Sequence, residues 1–470
     1  MKNLIYTLFF CFSFILIHAQ ESDRNAVWIH GLGGNNHSWG VYSPKFQAER
    51  RMKSHPNSFG DGNLRVCTGH VKEGIKDALG NEAQENRNIL IGHSTGGLVA
   101  RNLDRTQNNG SKEIEFGGMI TVHSPNQGAP LANNVASGKM FEMGVGIIEN
   151  IKKPAVKDPL LTVGEILILE SINRLPWVRL DDLMEILYGF FGQSSSEFFE
   201  GTVMNNFGDF AEADKINDLS VGSQFLNDLN NYQSGIHRIS VRGWESSNLF
   251  WRTISSLSSR PSTKPLHAIT DESFNKHVEI LSGVYKSNGI FREGLGIIND
   301  YNPLNLFTKA ARRNYDMANS WFTGADYIKN GIEEDYKKVI GANNCEWKTY
   351  SVKVNVCQNT IDDIERELRS LMNTPGADPE QIQTLESWLN GLLSNPDCFR
   401  MEERNYCIPK DDRSDGIVPY DNQAYAGASE YENKKVNHFE ALNHEEMTKN
   451  FNNIWNGHGS NDFWYTSKRN

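Results

Sequence analysis

The stretch "NILIGHSTGGLVAR", residues 88–101, decides the fold of this 470-residue chain. A short apolar run leads directly into G-H-S-T-G, and a helical pattern follows. The pattern G-x-S-x-G is typical of a serine in a sharp strand-to-helix turn, where small residues two positions to either side leave room for the turn. Such a turn exposes the hydroxyl at the carboxyl end of a sheet, beside a helix N-terminus that favours negative charge. Ser94 is therefore the predicted nucleophile, and Gly97 is expected to let the following helix pack closely.

Short apolar runs alternate with helical patterns on both sides of this stretch. The runs are rich in β-branched residues and are followed by turn residues, which is typical of strands, and residues 71–85 and 96–106 have a helical period. The alternation predicts an α/β fold with a mostly parallel central sheet and helices on both faces. The predicted strands are residues 25–29, 64–68, 88–91, 117–122 and 237–242, and short runs at 416–420 and 431–436 precede a predicted helix over 444–455.

A glycine-rich loop, "WIHGLGGNN" at residues 28–36, follows the first predicted strand. A loop of this kind can direct a backbone N–H at an oxyanion. Leu32 follows His-Gly directly and is the predicted upstream donor. The second predicted donor is the N–H of Thr95, the residue after the nucleophile.

A third motif, "HSPNQGAPLANN" at residues 123–134, follows the strand predicted at 117–122. The elements H-G-L-G, G-H-S-T-G-G and S-P-x-x-G-x-P, in this order, resemble the lipase/esterase branch of the α/β-hydrolase fold. The resemblance covers about residues 25–135 and a C-terminal piece. It implies a secreted lipase-like or carboxylesterase activity that needs no cofactor. Some bacterial lipases of this kind carry a structural calcium ion, but no ligand set can be named here, and no metal ligand is predicted.

The acid of the family's catalytic triad should lie far downstream, because the chain order is Ser, then Asp or Glu, then His. The stretch "RSDGIVP", residues 413–419, resembles the family's Asp-Gly-x-Val element, which makes Asp415 the candidate. Its role would be to hold the tautomer of the histidine and to stabilise the imidazolium. Asp411, Asp412 and Glu245 remain alternatives.

Two histidines compete for the role of general base in "KKVNHFEALNHEEM", residues 434–447. His438 closely follows the last predicted strand, and the family's histidine usually lies in the loop between the last strand and the last helix. Asn443, with Glu446 three residues on, fits a capping box, which would place His444 in the first helical turn. His438 is preferred, and His444 stays open as the alternative base.

Two long segments interrupt the alternating pattern. Residues 134–205 contain unusually apolar helical stretches and are read as a lid-like insertion over an apolar site, with buried core helices as the alternative. Residues 249–410 are polar, contain a predicted helical hairpin with four cysteines around it, and are read as a second, helical insertion. The predicted organisation is a signal peptide at 1–20, the hydrolase core at 21–133, 206–248 and 411–470, and insertions at 134–205 and 249–410.

The N-terminus and the cysteines point to export. Lys2 precedes an apolar run over residues 4–17, which is typical of a secretory signal peptide; an N-terminal membrane anchor is the alternative. In an oxidising compartment the clustered cysteines predict two local disulfides of unspecified pairing, and Cys67 would be an odd thiol buried on a strand. The clustered cysteines are Cys345, Cys357, Cys398 and Cys407.

The charge and composition of the chain limit the kinds of molecule that it is expected to bind. The net charge of −11 and the lack of a long basic run argue against nucleic acid as a partner. The leading interpretation is a secreted serine ester hydrolase that cleaves lipid-like carboxylic esters through an acyl-enzyme on Ser94 and makes transient contact with a membrane or lipid droplet. An acyltransferase or deacylase of the same fold is the second interpretation, and a non-catalytic, hydrolase-like binding protein is the third.

Overall fold

A computed structural model describes most of the chain outside the N-terminus and the segment 159–212. The described residues are 24–50, 53–84, 86–108, 113–158, 213–245, 249–258, 271–300, 308–343, 345–355, 357–372, 378–409, 413–457 and 463–464. The predicted signal peptide and most of the predicted lid-like insertion lie outside them.

Six parallel strands form the central sheet, in the order β2-β1-β3-β4-β5-β8. The chain starts in the strand next to one edge, moves to that edge, and then crosses strand by strand to the other edge. The strands are β1 (Asn25–Ile29), β2 (Ser54–Asn57), β3 (Asn88–His93), β4 (Phe116–Val122), β5 (His237–Trp244) and β8 (Ser429–Lys434), and β6 (Cys345–Asn355) and β7 (Phe399–Pro409) form a separate antiparallel pair.

Helices cover both faces of the sheet and form a further layer beyond its carboxyl end. In chain order they are α1 (Tyr42–Arg50), α2 (Leu64–Leu79), α3 (Thr95–Asn108), α4 (Pro130–Ala136), α5 (Lys139–Lys157), α6 (Ala213–Leu219), α7 (Gln224–Asn231), α8 (Leu249–Ser258), α9 (Asp271–Asp300), α10 (Thr308–Asp326), α11 (Ile332–Ile340), α12 (Gln358–Met372), α13 (Pro379–Ser394) and α14 (Glu445–Trp455).

Strand β1 shows why the sheet is buried on both faces. All five of its residues are buried. Val27 and Ile29 pack with α2 and α3 on one face, whereas Ala26 and Trp28 pack with α1 and α14 on the other. Continuous apolar runs of this kind suit a parallel sheet that helices cover on both sides. The predicted α/β fold, with a mostly parallel central sheet and helices on both faces, is therefore confirmed.

The prediction of a strand at residues 64–68 is wrong, because this segment begins helix α2. The side chain of Asn63 accepts a hydrogen bond from the N–H of Val66 and caps the helix. The buried positions continue at helical spacing through residues 67, 71, 75 and 79, which the short window around 64–68 conceals. Cys67 is a buried thiol, as predicted, but it lies on this helix.

The true neighbour of β1 at the sheet edge is β2, with the sequence S-H-P-N. No apolar run marks it, and Pro56 cannot donate a ladder hydrogen bond. Both features suit an edge strand, which pairs on one side only.

The helices beyond the sheet form one apolar core with the loops that follow the late strands. Residues of α5, α8, α9, α10 and α11 pack there with Ile417, Val418 and Phe439. These three residues directly follow Gly416 and His438 in the chain, so this helical layer holds the two loops that carry the predicted acid and base.

Residues 344–410 form a separate compact unit. It contains the β6–β7 pair and the helices α12 and α13, and the Cys357–Cys398 disulfide joins the residue before α12 to the segment after α13. The predicted helical hairpin is therefore present, together with strands that the sequence did not predict. The predicted insertion began at residue 249, but residues 249–343 group with the sheet. The side chains of Cys345 and Cys407 lie outside the described part, so a second disulfide stays a prediction.

None of the described helices combines the length and the apolar character needed to cross a membrane.

Candidate active site

Ser94 occupies a strained turn between β3 and α3. Its φ of 55° lies in the left-handed region, which non-glycine residues rarely adopt. A Cβ on Gly92 would lie 2.4 Å from the backbone of Gly96, and a Cβ on Gly96 would lie 2.4 Å from the carbonyl oxygen of His30. Both positions therefore require glycine. A Cβ on Gly97 would meet Ser124 Oγ at 2.0 Å, so the predicted close packing of the helix is confirmed.

His438 lies within hydrogen-bond distance of both Ser94 and Asp415. Its Nε2 is 2.9 Å from Ser94 Oγ, and its Nδ1 is 2.8 Å from Asp415 Oδ2. The backbone N–H of His438 also donates to the carbonyl of Asp415 over 2.8 Å, which ties the two loops together. All three residues are buried. The structure thus brings together the three groups that the sequence analysis selected first.

Asp415 is held as a carboxylate although it is fully buried. Burial raises the pKa of Asp415, but the nearby imidazoles of His438 and His123 outweigh it, so the pKa lies well below its usual range. The other carboxylate oxygen, Oδ1, accepts from the N–H groups of Ile417 at 3.0 Å and Val418 at 2.8 Å. These bonds to the turn after Asp415 fix the rotation of the carboxylate.

The alternative base, His444, caps helix α14 at some distance from this group. Its Nδ1 accepts a hydrogen bond from the N–H of Glu446 over 3.2 Å, and its carbonyl accepts from the Tyr42 hydroxyl over 2.9 Å. The prediction that Asn443 caps this helix is wrong, because His444 is the cap residue. The structure brings His438, and not His444, to Ser94.

Among the alternative acids, Glu245 forms an ion pair away from His438. Glu245 lies buried at the end of β5 and pairs with Arg252, whose Nε is 3.0 Å from Glu245 Oε1. Arg252 also binds Glu440 at 2.6 Å, and Glu440 in turn accepts from the N–H of Asn437. Burial, together with the nearby Glu440 carboxylate, raises the pKa of Glu245 well above its usual value. This ion cluster braces the loop of His438, and Asp411 and Asp412 lie outside the described residues.

The glycine-rich loop after β1 packs directly against Ser94. A Cβ on Gly31 would lie 2.8 Å from Ser94 Cβ. The Nε2 of His30 accepts from the N–H of Phe59 at 3.3 Å, so its Nδ1 carries the proton and donates to the Gly31 carbonyl at 2.7 Å. Because the peptide is trans, the Leu32 N–H points away from that carbonyl. This geometry is compatible with the donor role predicted for Leu32.

Thr95 begins helix α3 at the residue after the nucleophile. The first N–H groups of a helix have no partner within it, and the helix dipole places partial positive charge there. The predicted second oxyanion donor is therefore at a position that suits negative charge.

Two further buried histidines adjoin the site, and the sequence analysis assigned no role to either. His93 Nε2 donates to the carbonyl of His438 over 2.8 Å, and burial lowers the pKa of His93 well below its usual value. His123 Nδ1 lies 3.1 Å from Asp415 Oδ2. The signal that could have found His123 is its position immediately after β4, at the sheet edge where the other site residues lie.

His123 occupies a cramped position. Its φ is 49°, and a Cβ on the neighbouring Gly243 would lie 1.9 Å from its ring. Only a glycine at position 243 leaves space for this imidazole.

One set of groups here also has the composition of a metal site. Ligand atoms of His123, Asp415 and His438 all lie within 4.8 Å of one another. Each of these groups already contacts another in the set, so a cation bound there would displace the contact between His438 and Asp415. The arrangement as it stands can move a proton between a serine hydroxyl and a neutral imidazole beside a buried carboxylate.

Comparison with known proteins agrees with this fold. Residues 67–173 match the family described as "PGAP1-like alpha/beta domain". No curated protein matches the chain.

Several solved structures share part of the fold. The phospholipase PlaB from Legionella pneumophila is 13% identical with a TM-score of 0.29, and the match covers 48% of this chain and 40% of that one. The Bacillus licheniformis lipase BlEst2 is 14% identical with a TM-score of 0.27, over 50% of this chain and 73% of that one. A thermophilic esterase from Thermogutta terrifontis is 13% identical with a TM-score of 0.24, and the match covers 48% of this chain and 74% of that one. The present chain thus spans less than half the length of the phospholipase.

Proposed function

We propose that the protein is a serine ester hydrolase that cleaves lipid-like carboxylic esters through an acyl-enzyme on Ser94. The observation that carries the proposal is the continuous hydrogen-bonded path from Ser94 Oγ through His438 to Asp415, with bonds of 2.9 Å and 2.8 Å. A buried serine, imidazole and carboxylate in this order is the arrangement that activates a serine for acyl transfer.

In the proposed reaction, His438 Nε2 takes the proton of Ser94 as the hydroxyl attacks the ester carbonyl. Asp415 keeps the proton of His438 on Nδ1 and stabilises the imidazolium that forms. The N–H groups of Leu32 and Thr95 would hold the oxyanion, and the loss of one such donor typically costs about 10²–10³ in rate. The imidazolium then gives its proton to the leaving alcohol, and water repeats the sequence to release the acid.

Two features support a lipid-like substrate. The helical layer that holds the acid and base loops is a large apolar core, as expected beside a site for apolar chains. The segment at residues 160–191 is also unusually rich in apolar residues. Contact with a membrane or lipid droplet belongs to the same proposal, since such esters lie in lipid phases.

We also propose that the protein is exported. The N-terminal sequence supports this, and the Cys357–Cys398 disulfide is compatible with an oxidising compartment. Transfer of the acyl group to an alcohol instead of water is the alternative reaction of the same site, and product analysis with an added alcohol separates the two. A binding protein without catalysis would not need the serine, imidazole and carboxylate in hydrogen-bond contact.

A series of p-nitrophenyl esters of increasing acyl length tests the substrate class. Purified protein is assayed below and above the concentration at which each ester forms aggregates, with the Ser94→Ala variant as the blank. We expect kcat/KM to rise with chain length and the rate to increase when the substrate aggregates. A preference for acetate, with no increase on aggregation, would contradict the lipid assignment while leaving the esterase assignment intact.

A further inference from the structure

The carboxylate of Asp415 is shared between two imidazoles. His438 Nδ1 approaches its Oδ2 at 2.8 Å, and His123 Nδ1 approaches the same oxygen at 3.1 Å. The reaction proposed above uses only the first of these histidines. His123 is fully buried, so its contact with Asp415 is not a chance surface encounter.

A chain of side-chain amides fixes the proton on His123. The Nδ2 of Asn450 donates to the backbone carbonyl of Glu432 at 3.0 Å and to Asn433 Oδ1 at 2.7 Å. A carbonyl can only accept, so the donor and acceptor ends of both amides are determined. Asn433 Nδ2 therefore donates to His123 Nε2, over 3.0 Å. The remaining ring proton must sit on Nδ1, which lies 3.1 Å from Asp415 Oδ2 without the alignment of a hydrogen bond.

The surroundings keep this histidine neutral and in place. Burial is the main cause that lowers the pKa of His123, and it outweighs the opposing effect of Asp415. The left-handed backbone at His123 and the glycine required at position 243 both cost conformational freedom. Strain of this kind persists where the surrounding structure imposes it, often at functional sites. The titratable groups around the His123–Asp415 contact are His93, His438, His444, Glu245 and Tyr336.

We propose that His123 is a positioning residue for the reaction of Ser94, acting through a second imidazole contact to Asp415 Oδ2 that Asn433 and Asn450 orient. The inference rests on the proposed function and deepens it. A polar N–H placed this close to the shared oxygen has two effects. It holds the carboxylate so that Oδ2 faces His438, and it withdraws charge from that oxygen, which limits how strongly Asp415 favours the imidazolium before substrate reacts.

Two matched substitutions of His123 distinguish a role in positioning Asp415 from a role in packing alone. In His123→Asn the amide nitrogen can occupy the place of Nδ1 and still donate to Asp415, and asparagine tolerates a left-handed backbone. In His123→Gln the amide lies near the place of Nε2 and can still bind Asn433, but the donor to Asp415 is lost. Both variants remove the ring and its packing.

We expect kcat of His123→Asn to stay within about threefold of wild type, and kcat of His123→Gln to fall about 10- to 100-fold with little change in KM, which is the scale expected when a polar contact to a buried charged group is lost. The acid limb of the kcat/KM profile should move to higher pH in His123→Gln only, because the unshared carboxylate favours the imidazolium. Equal kcat and equal acid limbs in the two variants would overturn the proposal and leave His123 a packing residue.

If His123→Gln does not fold, an NMR measurement that needs no catalytic turnover still tests the proposal. In protein labelled with ¹⁵N-histidine, the ring proton of His123 is identified by its absence from His123→Asn. We expect it on Nδ1, in wild type and in Ser94→Ala alike, and a proton on Nε2 would refute the proposed contact. If Ser94→Ala keeps full activity, the proposed function fails, and that outcome is distinct because the position of this proton does not depend on it.

Discussion

The carboxyl edge of the sheet and the unit at residues 344–410 are stabilised in different ways. At the sheet edge, charged and polar groups such as Asp415, His123 and Arg252 are buried and held by one another. The unit at 344–410 has a small apolar cluster around Ile364, Leu368 and Leu385, and a disulfide closes it. Buried polar networks are costly unless every member is satisfied, so they persist where precise geometry is needed. The comparison indicates that chemistry is concentrated at the sheet edge, whereas the second unit depends on a covalent link.

The largest effect should come from the nucleophile. We expect Ser94→Ala to lower kcat/KM for p-nitrophenyl esters at least about 10⁴-fold, because Ser94 Oγ is the hydroxyl that contacts His438 Nε2. Thermal unfolding should be unchanged or raised, since alanine keeps the fold. Ser220→Ala, at the end of α6, removes a hydroxyl that only caps its own helix and is the matched control. If activity survives in Ser94→Ala, the groups at the carboxyl edge of the sheet do not carry out the reaction.

Substitution of His438 and of His444 should have different effects. His438→Ala is expected to lower kcat about 10³- to 10⁴-fold, because the base is lost. His444→Ala should leave kcat within about threefold and cost about 1 kcal/mol of stability, since its Nδ1 caps α14. His444→Asn should restore that stability. Steady-state kinetics and urea unfolding measure both, and a greater loss of kcat in His444→Ala would reverse the assignment.

The disulfide should affect the second unit alone. Its two cysteines are 41 positions apart, and closing a loop of that length stabilises by about 4 kcal/mol in the chain-entropy account. We expect the double variant Cys357→Ala, Cys398→Ala to lose hydrogen-exchange protection in α12 and α13 while ester hydrolysis changes less than twofold. Unchanged protection in these helices would show that the small apolar cluster suffices without the bridge.

The smallest expected effect is a decrease in the free energy of unfolding at acidic pH. Burial lowers the pKa values of His93 and His123, so in the folded state they stay neutral where the unfolded chain binds protons. Their stabilisation is fully present above pH ~6.5 and is lost as the pH falls below it, at about 1.4 kcal/mol per pH unit for each histidine. The stabilisation that comes from Asp415 is present above pH ~4 and is lost only below it, because the pKa of Asp415 is lowered in the folded state.

Urea unfolding at pH 7.5 and 5.5 measures this loss, which is limited to about 1.4 kcal/mol per pH unit for each histidine. In His123→Asn the loss of unfolding free energy should be about half as large, because one of the two buried histidines is gone. An unfolding free energy that is flat between these pH values would mean that the two rings are solvated.

Most of the sheet and the nucleophile could be predicted from the sequence, because both depend on short local patterns. The apolar runs at 25–29, 88–91 and 117–122 lie in strands, and the glycines around Ser94 mark the turn. Strand β2 was missed because an edge strand with the sequence S-H-P-N carries no apolar signal. The start of α2 was missed because its first turn is apolar on its own.

The partners within the site could be predicted only in part. His438 and His444 are both near the last strand, and only the folded loops decide which of them reaches Ser94. His123 could not be assigned a role, because Asn433 lies 310 positions away and the register of β4, β5 and β8 brings them together. Local patterns carry no information on such contacts.

The lack of a side chain at Gly243 has a consequence for substitution. Because any Cβ there would overlap the ring of His123, position 243 can change only when that ring is removed as well. Gly243→Ala alone should expel the imidazole, whereas the same change with a glycine at position 123 should be accommodated. A library that varies one position at a time would therefore record Gly243 as intolerant and miss the permitted double exchange.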